Sequence, residues 1–229
     1  MLILSDKVTE LLTTPPRRLW TDKRTHNAGV VAILPLPTMI VTGSDNGLDS
    51  PKSVIPVLTG SYDERVRIYE INTITLRATL KTDLQLDGGV WRLKLMDDYT
   101  VPADATSAGS SNGNNDDHSD HAPSQHHFLI LLSNMHGGAK ILRVTHTHAP
   151  GSSLSWEISV ETQFRRGHES IVYACDAIRD GHQRGHHYTV VSTSFYDMKI
   201  CTWSFVDRMK DEAKSKKGLD KLEERDLVH

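Results

Sequence analysis

The chain has 229 residues, 38% hydrophobic and 24% charged, with a formal net charge of -3, a composition that suits one or two soluble domains and leaves no basic field for a nucleic-acid backbone or an anionic membrane surface. The longest apolar stretch, Val30 to Val41, is broken by Pro35 and Pro37 and is too short to cross a bilayer. MLILSDKV lacks the basic start of a secretory signal, and two cysteines, Cys175 and Cys201, with no Asn-x-Ser/Thr acceptor, point to a reducing, cytosolic compartment.

In chain order, residues 1 to 25 are irregular and read as the remnant of a preceding unit. From His26 the run GVVAIL opens a first unit, residues 26 to 85, which carries SYDERVRIYE (61 to 70) and a loop insert, GSDNGLDSPKS (43 to 53). The second unit, 86 to 167, opens with LDGGVWRLKL (86 to 95) and resumes with FLILLSNMHGGAKILRV (128 to 144). Between them, residues 97 to 127 are so poor in apolar side chains that they are predicted to be a disordered insert. The third unit, 168 to 206, opens with His168 before IVYACDAI and carries FYDMKICTWS (195 to 204). Residues 207 to 229 are charged throughout, with pairs such as Glu212 and Lys216 at helical spacing; a solvated helical tail is expected, a partner-binding helix being the other reading.

The units are internal repeats. Aligning SYDERVRIYE with FYDMKICTWS matches Tyr62 with Tyr196, Asp63 with Asp197 and Tyr69 with Trp203, and the aromatic follows the aspartate by six positions in both. Val, Ile, Tyr and Thr at alternating positions are what half-buried strands need. Asp63 and Asp197 are explained as turn carboxylates that accept backbone N–H groups and hold a chain reversal, and Glu64 as a solvated turn residue. Histidine, strand, strand, Asp turn and a strand ending in an aromatic resemble the WD repeat, so the fold expected is all-β: a WD-repeat β-propeller of about three four-stranded blades in an incomplete ring, with a charged C-terminal tail. Propellers close with four to eight blades; the expectation is a carboxy-terminal portion of a longer product, with association of copies as the alternative.

The middle unit departs from the pattern. His136 falls where Asp63 and Asp197 fall, Leu142 replaces the aromatic and Leu86 replaces the opening histidine. One reading is a unit held by apolar packing alone, with His136 a plain turn histidine. The other is that His136, next to Gly137 and Gly138, is available for proton transfer near neutral pH. Two motif matches are set aside. His118, His121, His126 and His127 with Asp116, Asp117 and Asp120 have ligand chemistry but no fold to set their geometry, so no metal is assigned. GSSNG around Ser111 matches a nucleophile elbow without the strand and helix that would strain its serine.

Four phrases are more particular: THNAGVVAI (25 to 33), LTGSYDERVRIYE (58 to 70), GGVWRLKL (88 to 95) with MHGGAKIL (135 to 142), and HESIVYACD (168 to 176) with STSFYDMKICTW (192 to 203). In this order they resemble the C-terminal blades of the WD-repeat diphthine methyl ester hydrolase family of the diphthamide pathway, once called diphthine methyltransferase. Tyr69 stands where that family has Trp, and Ala177 follows Asp176 where it generally has Trp. The resemblance implies a cytoplasmic carboxylic ester hydrolase, without cofactor, that removes the methyl group from methylated diphthine on elongation factor 2.

Such chemistry needs a nucleophile or activated water, donors for the oxyanion and a surface for a quaternary ammonium group. Under the resemblance His136 would be the base, with Asp63 or Asp197 orienting a neighbour, Arg92 would stabilise negative charge, and Trp91 and Tyr173, at the same place in their aligned first strands, would face the cation. Packing between blades is the alternative for Trp91 and Tyr173, and a solvated or salt-bridged position for Arg92. No nucleophile stands out, since Ser61 and Ser194 flank turns and can bond the backbone. The competing class is a non-catalytic scaffold that docks other protein partners on the propeller face.

Overall fold

The computed structural model describes residues 26–37, 54–102, 124–148, 155–181 and 186–209. Within them the chain is all-β, with three antiparallel sheets formed by strands paired in chain order. The first sheet holds β1 (Val30–Pro35), β2 (Val54–Ser61), β3 (Arg65–Asn72) and β4 (Ala78–Gln85). The second holds β5 (Arg92–Pro102), β6 (Ser124–Ser133), β7 (Ala139–His148) and β8 (Ser155–Phe164). The third has three strands where four were expected: β9 (Val172–Arg179), β10 (His187–Ser194) and β11 (Ile200–Val206). No helix among the described residues is long and apolar enough to cross a membrane.

The second sheet is the middle layer, and β6 shows why. Side chains of a strand leave opposite faces in turn, so the unbroken run Phe128 to Leu132 must be covered on both sides. Phe128, Ile130 and Leu132 pack with Leu142 and Val144 against Leu58, Val66 and Ile68 of the first sheet. Leu129, Leu131 and Ile141 turn the other way, onto Tyr188 and Val190 of the third. The first strands meet, β1 against β5 and β5 against β9, while β4 meets β8. Trp156 Nε1–H donates to Glu70 across that outer contact at 2.9 Å.

The predicted insert is shorter than composition implied. Residues 97 to 102 belong to β5 and 124 to 127 to β6, paired from Asp97 opposite Leu129 to Pro102 opposite Ser124. Few of these side chains are apolar, but several are buried with polar partners, which hydropathy does not register. His126 Nδ1 lies 2.8 Å from Thr100 Oγ1 and His127 Nδ1 3.0 Å from Thr145 Oγ1. Residues 103 to 123, with Ser111, His118, His121 and the three aspartates, lie outside the described residues, as do 1 to 25, 43 to 53 and 210 to 229.

The first residue assigned to the charged tail is also not solvated. Asp207 is fully buried and accepts from Arg143 Nη2 at 2.9 Å and from the Tyr99 hydroxyl at 3.1 Å. Arg143 Nε donates to Glu161 at 2.9 Å. The cluster ties β5, β7 and β8 to the end of β11. Burial pushes the Tyr99 hydroxyl well above its ordinary range, and lowers His127 to about 4 with help from the Arg143 charge, against the pull of Asp207.

Candidate functional site

The turns joining the second and third strands of each sheet gather at one end, with the segments that lead into β5 and β9. In the first sheet this turn is held by Asp63. Its carboxylate accepts the Asn27 N–H at 3.0 Å, the Arg65 N–H at 3.2 Å and Arg67 Nη1 at 2.8 Å. His26 stands beside it, Nδ1 3.2 Å from Asp63 Oδ2 and Nε2 2.8 Å from Thr59 Oγ1. Burial alone would raise the carboxyl, but the Asn27, Arg67 and His26 bonds overcome it and hold Asp63 at about 2. Burial lowers His26, against the Asp63 bond, so the ring stays neutral at pH 7 and serves as a hydrogen-bonded strut. Four residues on from Asp63, Arg67 cross-links turn and strand.

The third sheet repeats the device with different partners. Asp197 accepts the Glu169 N–H at 2.8 Å, and the Ser194 and Glu169 bonds hold its carboxyl below the usual range. His168 is buried with Nδ1 2.8 Å from Ser194 Oγ and Nε2 2.8 Å from Ser192 Oγ, and burial lowers its basicity. Asp63 thus accepts the backbone N–H two residues on, as its place in the sequence suggested, whereas the bonds of Asp197 run to Ser194 and to Glu169 in the segment before β9.

The middle sheet is not held by apolar packing alone. Leu86 is buried, and its neighbour Asp87 accepts from Asn134 Nδ2 at 2.6 Å, Lys140 Nζ at 2.8 Å and Gln163 Nε2 at 3.0 Å. Lys140 has the register of Arg67, since Arg67 lies opposite Thr59, four residues before Asp63, and Lys140 opposite Leu132, four residues before His136, so a carboxylate–cation bond is present although the aspartate lies in the neighbouring loop. The glycines of GGVWR and MHGG are explained here: a Cβ on Gly88 would lie 2.5 Å from the Asn134 carbonyl, and one on Gly137 2.3 Å from Asp87 Oδ1. Loop and turn pack backbone to backbone. His136 rides on the outside of this turn, exposed, with no hydrogen bond to another described residue.

Trp91 and Tyr173 come together. Their ring centroids are 4.8 Å apart with planes tilted by 57°, one just before β5 and the other in β9. Tyr62 lies 5.7 Å from Trp91, Phe195 lies 5.3 Å from Tyr173, and Tyr196 lies 5.1 Å from Phe195. The five rings form one ribbon across all three sheets, open to solvent at both ends, where Tyr62 is 44% exposed and Tyr196 72%. Arg92, exposed, follows Trp91 beside it. One strand position further along, Lys94 Nζ bonds Asp176 and, at 3.2 Å, the Ala177 carbonyl, tying β5 to β9 below the rings.

Of the residues singled out from sequence, the structure joins Trp91 and Tyr173, leaves Arg92 exposed at the start of β5, and keeps Asp63, Asp197 and His136 in three separate turns. It adds Tyr62, Phe195 and Tyr196. All three were in the aligned turn phrases, where closeness to the turn aspartates was the available signal. Among the described residues no group of three or more His, Cys, Asp or Glu is placed to hold a metal ion; His126 and His127 are consecutive on β6 and face opposite ways.

Fold and site together define an all-β protein of packed antiparallel sheets with an aromatic surface at the loop end. No protein-family model matches the chain, and no curated protein matches it.

Proposed function

We propose that the three sheets are blades of a WD-repeat β-propeller and that the protein hydrolyses the methyl ester of methylated diphthine on elongation factor 2, in the cytoplasm. The observation that carries this reading is the contact between Trp91 and Tyr173. Aromatic faces attract a quaternary ammonium group by about 0.5–2 kcal/mol each, and methylated diphthine bears such a group next to its ester. Anchored there, the ester lies within the neighbourhood of Arg92, whose guanidinium is suited to the charge that develops on the carbonyl oxygen.

In this reading His136 takes a proton from an attacking water, the carbonyl carbon gains the hydroxyl, and methanol leaves with a proton, so that ester and water yield acid and alcohol. Asp63 and Asp197 act at one remove, by holding the turns that carry Tyr62 and Phe195. No cofactor enters.

A second reading is a non-catalytic scaffold that binds a protein on the same ribbon. It is favoured by the separation of His136 from both aspartates, which leaves that base without an orienting partner among the described residues. One experiment divides the two: the purified protein is incubated with elongation factor 2 carrying methyl-esterified diphthine, and the peptide is weighed by mass spectrometry. Loss of one methyl group by the wild type and retention by His136→Ala support the hydrolase. Binding with the ester intact supports the scaffold.

A further inference from the structure

His136 sits at the tip of a turn whose backbone differs from that of the two aspartate turns. In those, the left-handed residue follows the aspartate: Glu64 at φ 62° and Met198 at φ 52°. In the β6–β7 turn it precedes the histidine, with Met135 at φ 37°, and Gly138 at φ 81° closes the reversal. A residue with a side chain is strained in that region and persists there only where its surroundings over-determine it.

The surroundings here are the segments that carry the aromatic pair. The Ser133 carbonyl accepts the Trp91 N–H at 2.9 Å, and the Met135 carbonyl accepts the N–H of Val172, next to Tyr173, at 3.0 Å. The leg of the turn that leads to His136 is thus bonded to the backbone on which both rings are mounted. The leg that leaves it is held otherwise. In the first sheet the carbonyl after the aspartate, that of Glu64, accepts the Leu86 N–H at 2.7 Å. His168 stands before the third sheet as Leu86 stands before the second, but its N–H donates to the Arg165 carbonyl at 3.2 Å. A side chain takes over: Gln163 Nε2 donates to the Gly137 carbonyl at 2.8 Å and to Asp87 Oδ2 at 3.0 Å. Gln163 is exposed on β8, so the bond can be removed without opening the core.

We infer that Gln163 is a positioning residue for His136: by holding the Gly137 carbonyl it sets the turn, and with it the imidazole, relative to the Trp91–Tyr173 pair. The inference rests on the hydrolase reading. A base takes a proton only from within hydrogen-bond reach, and a misplacement of about 1 Å can lower a rate by about a hundredfold. Bonds on both legs of the turn keep base and anchor on one frame.

The test is steady-state hydrolysis of methyl-esterified diphthine on elongation factor 2 by the full chain, with kcat and KM measured separately. Gln163→Met removes the donor and is expected to lower kcat about tenfold with KM changed by less than about twofold, since the anchoring rings are untouched. Gln163→Lys, whose ammonium group can donate to both acceptors, is expected to restore kcat. Unchanged kcat in Gln163→Met, beside an active wild type and an inactive His136→Ala, overturns the inference and leaves the hydrolase reading standing. An equal loss of kcat in Gln163→Lys, or a rise in KM together with a lower melting temperature, marks a structural role alone and overturns it too. An inactive wild type or an active His136→Ala overturns the reading and the inference with it. Should Gln163→Met misfold, Gln163→Glu, which also lacks the donor, takes its place with the same outcomes.

Discussion

Trp91 and Tyr173 meet at 4.8 Å although one leads into β5 and the other is the second residue of β9. Neither strand pairs with the other in a sheet, so the contact exists only because the second and third sheets pack with their first strands together. Both rings are half-buried. That makes them a surface held in place before any ligand arrives.

Trp91→Ala should therefore weaken binding of the protein ligand more than it weakens the fold. The expected loss is about tenfold in affinity, equivalent to ~1.4 kcal/mol, and the Tyr173→Ala variant should fall in the same direction. Calorimetric titration against methylated diphthine on elongation factor 2 reads it, with the melting temperature as control. Unchanged affinity in both variants would show that the ribbon is packing between sheets and nothing more.

Asp63→Ala and His136→Ala should separate structure from chemistry. Removing the Asp63 carboxylate strands the Asn27 and Arg65 N–H groups and the buried Arg67 guanidinium, and should cost about 2–4 kcal/mol of stability. His136 is exposed on its turn, so its truncation should change stability by less than about 0.5 kcal/mol while, under the proposed hydrolase function, it should abolish ester hydrolysis. Urea titration measures the first and the mass assay the second.

Acid should unfold the protein in two stages with the same sign. His127 is held at about 4 against an ordinary 6.5, so as the pH falls from 6.5 towards 4 the unfolded chain takes up a proton that the folded chain refuses, and stability drops. For this buried ring the loss is on the order of 3 kcal/mol. His26, His126 and His168 are lowered too and add in the same direction. Asp63 then contributes below pH 3.8, where stabilisation present at neutral pH disappears as the carboxylate protonates towards about 2. Melting temperatures between pH 7 and 4 should fall steadily, and His127→Gln should flatten the slope; an equal slope in that variant would remove His127 from the account.

Asp207→Ala should be among the most damaging substitutions in the chain. It leaves Arg143, 3% exposed, with Glu161 as its remaining carboxylate, and loss of one partner from a buried pair costs about 3–5 kcal/mol. Chemical denaturation of Asp207→Ala beside Glu161→Ala checks the ranking, since Glu161 is a quarter exposed and should matter less.

How much of this was legible in the sequence follows from the range of each interaction. His26 and Asp63 could be placed together because the repeat occurs twice, and a loop histidine with a turn aspartate has a local reason to exist, whereas Thr59 as the second partner of His26 came only from the structure. The replacement network around Asp87 could not, since it draws Asn134, Lys140 and Gln163 from three other segments and only the absence of the usual residues was visible. Residues 97 to 102 and 124 to 127 were misread for a related reason. Tyr99, His126 and His127 look like loop residues by hydropathy, and become strand residues once Thr100, Thr145 and Arg143 satisfy them.

The sequence by itself determined the period-two strands, their grouping in three successive sets and the turns that carry Asp63 and Asp197. These depend on backbone geometry and on neighbours a few positions away, which composition and spacing record. Only the tertiary structure decided that five aromatics from four segments form a single ribbon and that Arg143 and Asp207 are buried together. Each of those depends on which sheet packs against which, and packing is set by the joint burial of apolar faces far apart in the chain.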